Sequence, residues 1–325
     1  MFNSNYDFAL YYEQMVKIEK QELEWDEDGN LINPKTRCIY IPSPYFKYVM
    51  GPVTLALEHL LKENKWKGYC DGKNWGELED TYKKLYDLGL NTTVQLDCKQ
   101  FDAHQGKLLK SIDRYIYSLL DHKIHHVPLE HWQKATQARA IKMKLSQRKK
   151  NGNKTSYGDV WVYDKMLSGS MDTTLMNTIR MVLINRFVIE HLSNYKPCEY
   201  YLNCKGDDSL AVFNFGKAPN DYLKPILNNY SRVFANPEQA KAAINQPTYI
   251  EQELDGLTIK TLNPRRCYGL GLVRKYLLVG DLSNINFCST ITIPCYDKTG
   301  SHITHFKILR NPSKVLRCDS YARLS

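Results

Sequence analysis

YYLNCKGDDSLAVF, residues 200–213, is two apolar-leaning runs hinged on Gly206-Asp207-Asp208. Gly206 can take the positive φ that opens a type II′ turn, with Asp207 second and Asp208 beginning the return strand. The stretch reads as a tight β-hairpin carrying two adjacent carboxylates at its tip, where their charges repel. A lone Gly-Asp-Asp is also an ordinary polar turn, so its meaning depends on the rest of the chain.

A second stretch, TVQLDCKQFDAH at 93–104, ends an apolar strand on Asp97 and places Asp102 five residues later, where a helix should begin. Alone, Asp102 reads as an N-cap and Asp97 as a strand-end charge. Taken with the hairpin, Asp97 and Asp207 can stand side by side at the ends of adjacent strands. Carboxylates at that distance raise one another's pKa, and Mg²⁺, a hard cation satisfied by carboxylate, phosphate and water oxygens, relieves the conflict. Two such ions, about 3.5–4 Å apart, can activate an attacking hydroxyl and stabilise a departing pyrophosphate. A third stretch, SGSMDTTLMNT at 168–178, offers a Ser168-Gly169 loop where backbone can approach a ligand. A helix follows, capped by Asp172 or Thr173, with Thr173 and Asn177 on one face.

Helical periodicity runs over 52–63, 76–88, 106–120, 130–146, 173–192 and 220–235. Strand-like runs fall at 93–97, 159–163, 199–204, 209–213 and 270–279, and at 284–293 with 303–309. Irregular alternation with hairpins indicates an α+β fold with antiparallel pairing. The basic, turn-rich SQRKKNGNKTSYGD at 146–159 reads as a loop between a helix and a strand, either solvated or touching nucleic acid.

The 325 residues suffice for one large domain or two modest ones, and a 43% hydrophobic share argues against wholesale disorder. The net charge of +9 favours an anionic partner. Nine scattered cysteines without C-x-x-C spacing argue against a disulfide framework or a zinc ribbon and suit a reducing, cytosolic compartment. No apolar run reaches membrane-spanning length. Four histidines in HKIHHVPLEH at 122–131 lack metal-site spacing and read as a solvated helix junction.

In order and spacing the three acidic and polar stretches resemble the palm of a positive-strand viral RNA-dependent RNA polymerase of the tombusvirus/nodavirus-like group. Asp97-x4-Asp102 is similar to motif A, Ser168-Gly169-x3-Thr173-x3-Asn177 to motif B, and Gly206-Asp207-Asp208 to motif C. MVKIEK at 15–20 with NPKTRCIYIPSP at 33–44 resembles the basic motif F. LDGLTIKTLNP at 254–264 falls where motif D ends, and INFCST at 285–290 resembles motif E. The likeness spans about residues 15–310.

The resemblance implies a right-hand polymerase with an antiparallel palm sheet flanked by helices. Partial fingers would occupy 1–92, the palm 93–112 and 166–290, a fingers insertion 113–165 and a short thumb 291–325. It implies that Asp97 and Asp207, supported by Asp208, hold two Mg²⁺ ions, with Mn²⁺ as a substitute. Asp102 and Asn177 would read the ribose 2′-OH. Ser168, Gly169 and Thr173 would shape the nucleotide and template contact, and Lys17, Lys20 and Arg37 would neutralise the triphosphate. Lys260, or else Lys241, would be the general acid to pyrophosphate. The implied partners are an RNA template, the nascent RNA and NTPs. Because Met1 lies almost directly before the motif F stretch, the expectation is either a minimal or divergent polymerase, or missing fingers encoded in another reading frame or an upstream fusion and supplied as a second viral polypeptide. The implied setting is the host cytoplasm, at membrane-associated replication complexes reached through partners. A reverse transcriptase shares the two carboxylate stations, but the Ser-Gly-x3-Thr-x3-Asn stretch and the glycine before Asp-Asp argue against it. A non-catalytic RNA-binding scaffold fits the basic excess equally well.

Overall fold

The structure is a computed structural model and describes residues 10–16, 24–25, 31–32, 38–70, 72–148, 154–196, 199–215, 219–236, 238, 249–254, 257–262, 270 and 272–312. Its elements begin with β1 (Tyr11–Val16), β2 (Glu24–Trp25), β3 (Leu31–Ile32), β4 (Cys38–Pro42), α1 (Pro44–Glu63), β5 (Gly68–Tyr69) and α2 (Trp75–Asp87). There follow β6 (Thr92–Cys98), α3 (Phe101–His104), α4 (Lys107–Ser118), α5 (Leu129–Gln137), β7 (Ala140–Arg148), β8 (Lys154–Tyr163) and α6 (Thr173–Arg186). The remainder comprises β9 (Tyr200–Lys205), β10 (Asp208–Phe213), α7 (Pro219–Val233), β11 (Phe234–Ala235), β12 (Tyr249–Leu254), β13 (Leu257–Leu262) and β14 (Leu272–Asp281). Last come β15 (Asn286–Phe287), β16 (Thr290–Tyr296) and β17 (Ile303–Arg310). Helices and strands mix as an α+β fold. Two compact units interleave along the chain: Met1–Leu57 with Gln105–Thr173, and Glu58–His104 with Thr174–Ser325.

The second unit is built on a six-stranded sheet ordered β11-β14-β6-β10-β9-β5. Its four central strands pair antiparallel, while β11 and β5 join the edges in parallel. The expected antiparallel sheet therefore holds at the centre and not at the rims. Each rim strand is reached through a longer connection than a hairpin, which permits parallel pairing. Strands β6, β9, β10 and β14 with helices α6 and α7 form a βαββαβ arrangement in which β14 returns beside β6. Residues 209–213 of β10 are all buried, as expected of a central strand covered on both faces. Ten of the fourteen residues of α6 are buried, so this helix is interior rather than one-sided. Leu210 and Val212 share a core with Leu78 and Tyr82 of α2 and with Phe306 and Ile308 of β17.

The first unit carries a four-stranded sheet ordered β4-β1-β7-β8. Tyr12 and Met143, partners in the parallel β1–β7 ladder, point into its core, and the Phe46 ring lies 4.9 Å from Tyr12. Tyr117 of α4 and Trp132 of α5 meet edge to face at 5.5 Å. The helix expected over 130–146 ends at Gln137. Beyond it Ile141, Met143 and Leu145 alternate with Lys142 and Lys144, a period of two that makes β7 and turns Met143 inward. The loop expected at 146–159 is largely the β7–β8 pair, with 149–153 outside the described residues. The junction at 122–131 is less solvated than expected: His131 is buried against the Tyr45 hydroxyl, and His126 Nε2 lies 3.0 Å from the Val49 carbonyl. No helix among the described residues is long and apolar enough to cross a membrane.

Candidate active site

Two adjacent strands of the second unit deliver the acidic side chains. The β6–β10 ladder closes with Leu96 opposite Ser209, so the next residues along each strand, Asp97 and Asp208, continue across from one another. At the β9–β10 tip Gly206 adopts φ +61° while Asp207 stays outside the left-handed region, which is the pattern of a type II′ turn. The Gly206 N–H donates to Thr178 Oγ1 at 2.8 Å, and the Thr178 hydroxyl donates to the Thr174 carbonyl at 2.7 Å. Helix α6 thereby fixes the turn. Asn185, one helical span further on, accepts from the Tyr230 hydroxyl at 2.5 Å and from Ser209 Oγ at 3.5 Å, joining α6, α7 and β10.

The electrostatics follow from this convergence. Burial first, then the charges of Asp208, Asp97 and Asp102, push the Asp207 carboxyl from 3.8 up to about 6. The thiol of Cys98 is raised by burial and then by Asp207, Asp97 and Asp208. Tyr276 is raised by burial and by the same three carboxylates. Four carboxylates thus act on one region, two of them brought from another part of the sequence.

Asp97 has a partner that sequence reasoning missed. Lys275 Nζ lies 2.9 Å from Asp97 Oδ2, with the lysine side chain 64% exposed and the carboxylate 13% exposed. In β14 the register slips between Arg274, opposite Cys98, and Tyr276, opposite Asp97. Lys275 is the extra residue of that bulge, and bulges re-aim side chains in this way. The signal was faint: one lysine in LVRKYLLVG, with nothing local to mark a bulge. Gln95 is a second omission. It donates to the Asn284 carbonyl at 3.3 Å and accepts from the Asn286 N–H at 2.8 Å, tying β6 to the start of β15.

Asp102 sits in the four-residue α3, entered through Gln100 at φ +48°. Asn177 Nδ2 donates to Asp102 Oδ1 at 2.7 Å, and the fully buried Arg180 donates from Nη1 to Asn177 Oδ1 at 2.7 Å. The Asn amide is therefore oriented at both ends, with its oxygen toward Arg180 and its nitrogen toward Asp102.

Ser168, Gly169 and Thr173 belong to the first unit. There the Tyr40 N–H donates to the Ser168 carbonyl at 2.8 Å, Ser168 Oγ donates to the Cys38 carbonyl at 3.1 Å, and Thr173 Oγ1 donates to the Leu167 carbonyl at 3.2 Å. Asp172, expected as a cap, is instead buried and accepts from Tyr117 at 2.6 Å and Ser170 at 2.5 Å. Gly169 holds φ +95°, and a Cβ there would meet the Tyr40 carbonyl oxygen at 2.7 Å. Gly169→Ala should cost about 2 kcal/mol, measured as a lowered urea midpoint. An unchanged midpoint would show that the loop yields freely.

Lys17, Lys20, Arg37 and Lys241 lie outside the described residues. Lys260 is placed by its backbone alone, opposite Glu251 in the β12–β13 hairpin.

Among the described residues no group of three His, Cys, Asp or Glu side chains is gathered to hold a metal unaided. The donors nonetheless suit Mg²⁺, which takes one or two carboxylates and completes its shell with phosphate oxygens and water. The Lys275 ammonium already neutralises Asp97, and Asp207 is raised first by burial and then by the charge of Asp208. No protein-family model matches the chain, and no curated protein is similar to it.

Proposed function

We propose that the chain carries the palm of an RNA-dependent RNA polymerase and transfers a nucleotide from NTP to an RNA 3′-OH. The observation that carries this reading is the β6–β10 register, which sets Asp97 across from Asp208 at the strand ends with Asp207 in the adjoining turn. The order β14-β6-β10-β9 in a βαββαβ unit supports a right-hand palm. The hydrogen-bonded Asp102–Asn177 pair supports ribose recognition, since a carboxylate and an amide together suit a hydroxyl that donates and accepts.

In the reaction, the 3′-oxygen gives its proton to solvent water and forms a bond to the α-phosphorus, while the bond from that phosphorus to the bridging oxygen breaks to release pyrophosphate. Asp97 and Asp207, with Asp208 in support, would hold Mg²⁺, which supplies charge neutralisation at the phosphates and a more acidic 3′-hydroxyl. Thr178 and Asn185 act as positioning residues that keep the hairpin and its carboxylates in register. Arg180 positions Asn177.

A non-catalytic RNA-binding role is the second reading, favoured by the Lys275–Asp97 ion pair, which satisfies one carboxylate internally. Primer extension on an RNA template, with Mg²⁺ or Mn²⁺ and with any N-terminal partner supplied, separates the two. Incorporation of NTPs is expected, and none under any of these conditions would establish the scaffold. Asp102→Ala should lower the preference for NTP over dNTP about tenfold, the scale of one lost charge-assisted hydrogen bond. Unchanged discrimination would remove Asp102 from ribose recognition.

A further inference from the structure

The second unit holds a cavity of about 450 Å³ bordered by the Cys288-Ser289 turn, within the size range of small-ligand sites. Its walls carry three cations, Lys73, Lys205 and Arg310, and among the described residues no carboxylate lines it. Lys73 is held in place, with Nζ 3.1 Å from the Tyr201 hydroxyl and 5.5 Å from that ring's centre. Lys205 stands opposite Asp208 in the hairpin ladder. Trp75 lines the same cavity and remains 47% exposed, a large aromatic face left to solvent beside a cluster of positive charge. Cys288 and Ser289 both hold left-handed backbone, at φ +52° and +65°, and form the tight β15–β16 turn that makes the cavity floor.

An aromatic face beside several cations suits a ligand with one flat, stackable end and one polyanionic end. We infer that this cavity binds a free nucleoside triphosphate, its base on Trp75 and its phosphates among Lys73, Lys205 and Arg310. The site differs from the Asp97–Asp207–Asp208 cluster, because it recognises phosphate by ammonium and guanidinium groups and needs no divalent cation. It does not rest on the polymerase reading, since a scaffold could equally carry it. Its floor nevertheless touches that cluster, since Cys288 shares a hydrogen bond with the Asp208 carboxylate.

The test is an ATP titration of the full chain in EDTA, followed by tryptophan fluorescence. Wild type should show a saturable quench that is lost in Trp75→Phe. Arg310→Gln should weaken ATP about tenfold, and adenosine should bind far less well than ATP. Asp97→Asn should leave the ATP affinity within twofold, which distinguishes this site from nucleotide bound at the acidic cluster. Melting curves check the fold of each variant, and Arg310 and Trp75 are exposed enough for both substitutions to be tolerated. Equal ATP affinity in wild type and Arg310→Gln, or a quench that survives Trp75→Phe, overturns the assignment. So does a short RNA oligonucleotide that binds in an Arg310-dependent manner while ATP does not, since the cavity would then belong to a strand rather than a free nucleotide.

Discussion

Asp207→Asn should lower Mg²⁺-dependent NTP incorporation by at least about a thousandfold while leaving RNA affinity within about twofold. The substitution keeps the side chain's size and removes its charge. Phosphoryl transfer depends on positioning and on neutralising charge at the phosphates, so the loss of one anionic ligand falls almost wholly on the chemical step. Under the proposed function, RNA would be held instead through phosphate contacts by cations elsewhere, in keeping with the net charge of +9. Single-turnover extension and fluorescence anisotropy on the same preparation read the two quantities. Retained incorporation would break the assignment of Asp207. Parallel loss of RNA affinity would show that the substitution disturbs the hairpin, which the Gly206–Thr178 bond otherwise anchors.

The elements around the hairpin were legible because their patterns are strong. A glycine before two aspartates, flanked by apolar runs, specifies a two-residue turn, and the structure gives Gly206 φ +61° with Asp208 opening β10. Residues 130–146 were harder. Leu129, Trp132 and Thr136 support a helix, and only the switch to alternation at Ile141, Met143 and Leu145 marks where the period changes from 3.6 to 2. Lys275 was invisible for a different reason. A β-bulge is a property of two paired strands, so no window around residues 272–281 alone contains it. The Asp102–Asn177–Arg180 chain was half legible: the polymerase resemblance implied a shared role for Asp102 and Asn177, while Arg180 gains its role only from burial within α6.

Stability should respond to Asp207 in the opposite sense to an ordinary paired aspartate. Its folded carboxyl is raised from 3.8 to about 6, chiefly by burial and then by Asp208, so the folded state holds the proton more tightly than the unfolded state. Below about pH 3 the group is largely protonated in both states and costs almost nothing. As pH rises through 6 the folded state must carry the charge, and the penalty grows to a ceiling of about 3 kcal/mol, the 2.2-unit difference between 6 and 3.8 multiplied by ~1.36 kcal/mol per unit. Asp207→Asn should therefore stabilise the cation-free protein by up to about 3 kcal/mol at pH 8 and by only about 0.5 kcal/mol at pH 4, read from urea midpoints in EDTA. Asp208→Asn should give a smaller gain at pH 8, because it removes the second cause and leaves the burial. Adding Mg²⁺ should narrow the gap by stabilising wild type alone, since a bound cation relieves the charge that the variant no longer has. A difference that does not change between pH 4 and pH 8 would mean that Asp207 is better solvated than its neighbours suggest. The site would then hold no repulsion for a cation to relieve.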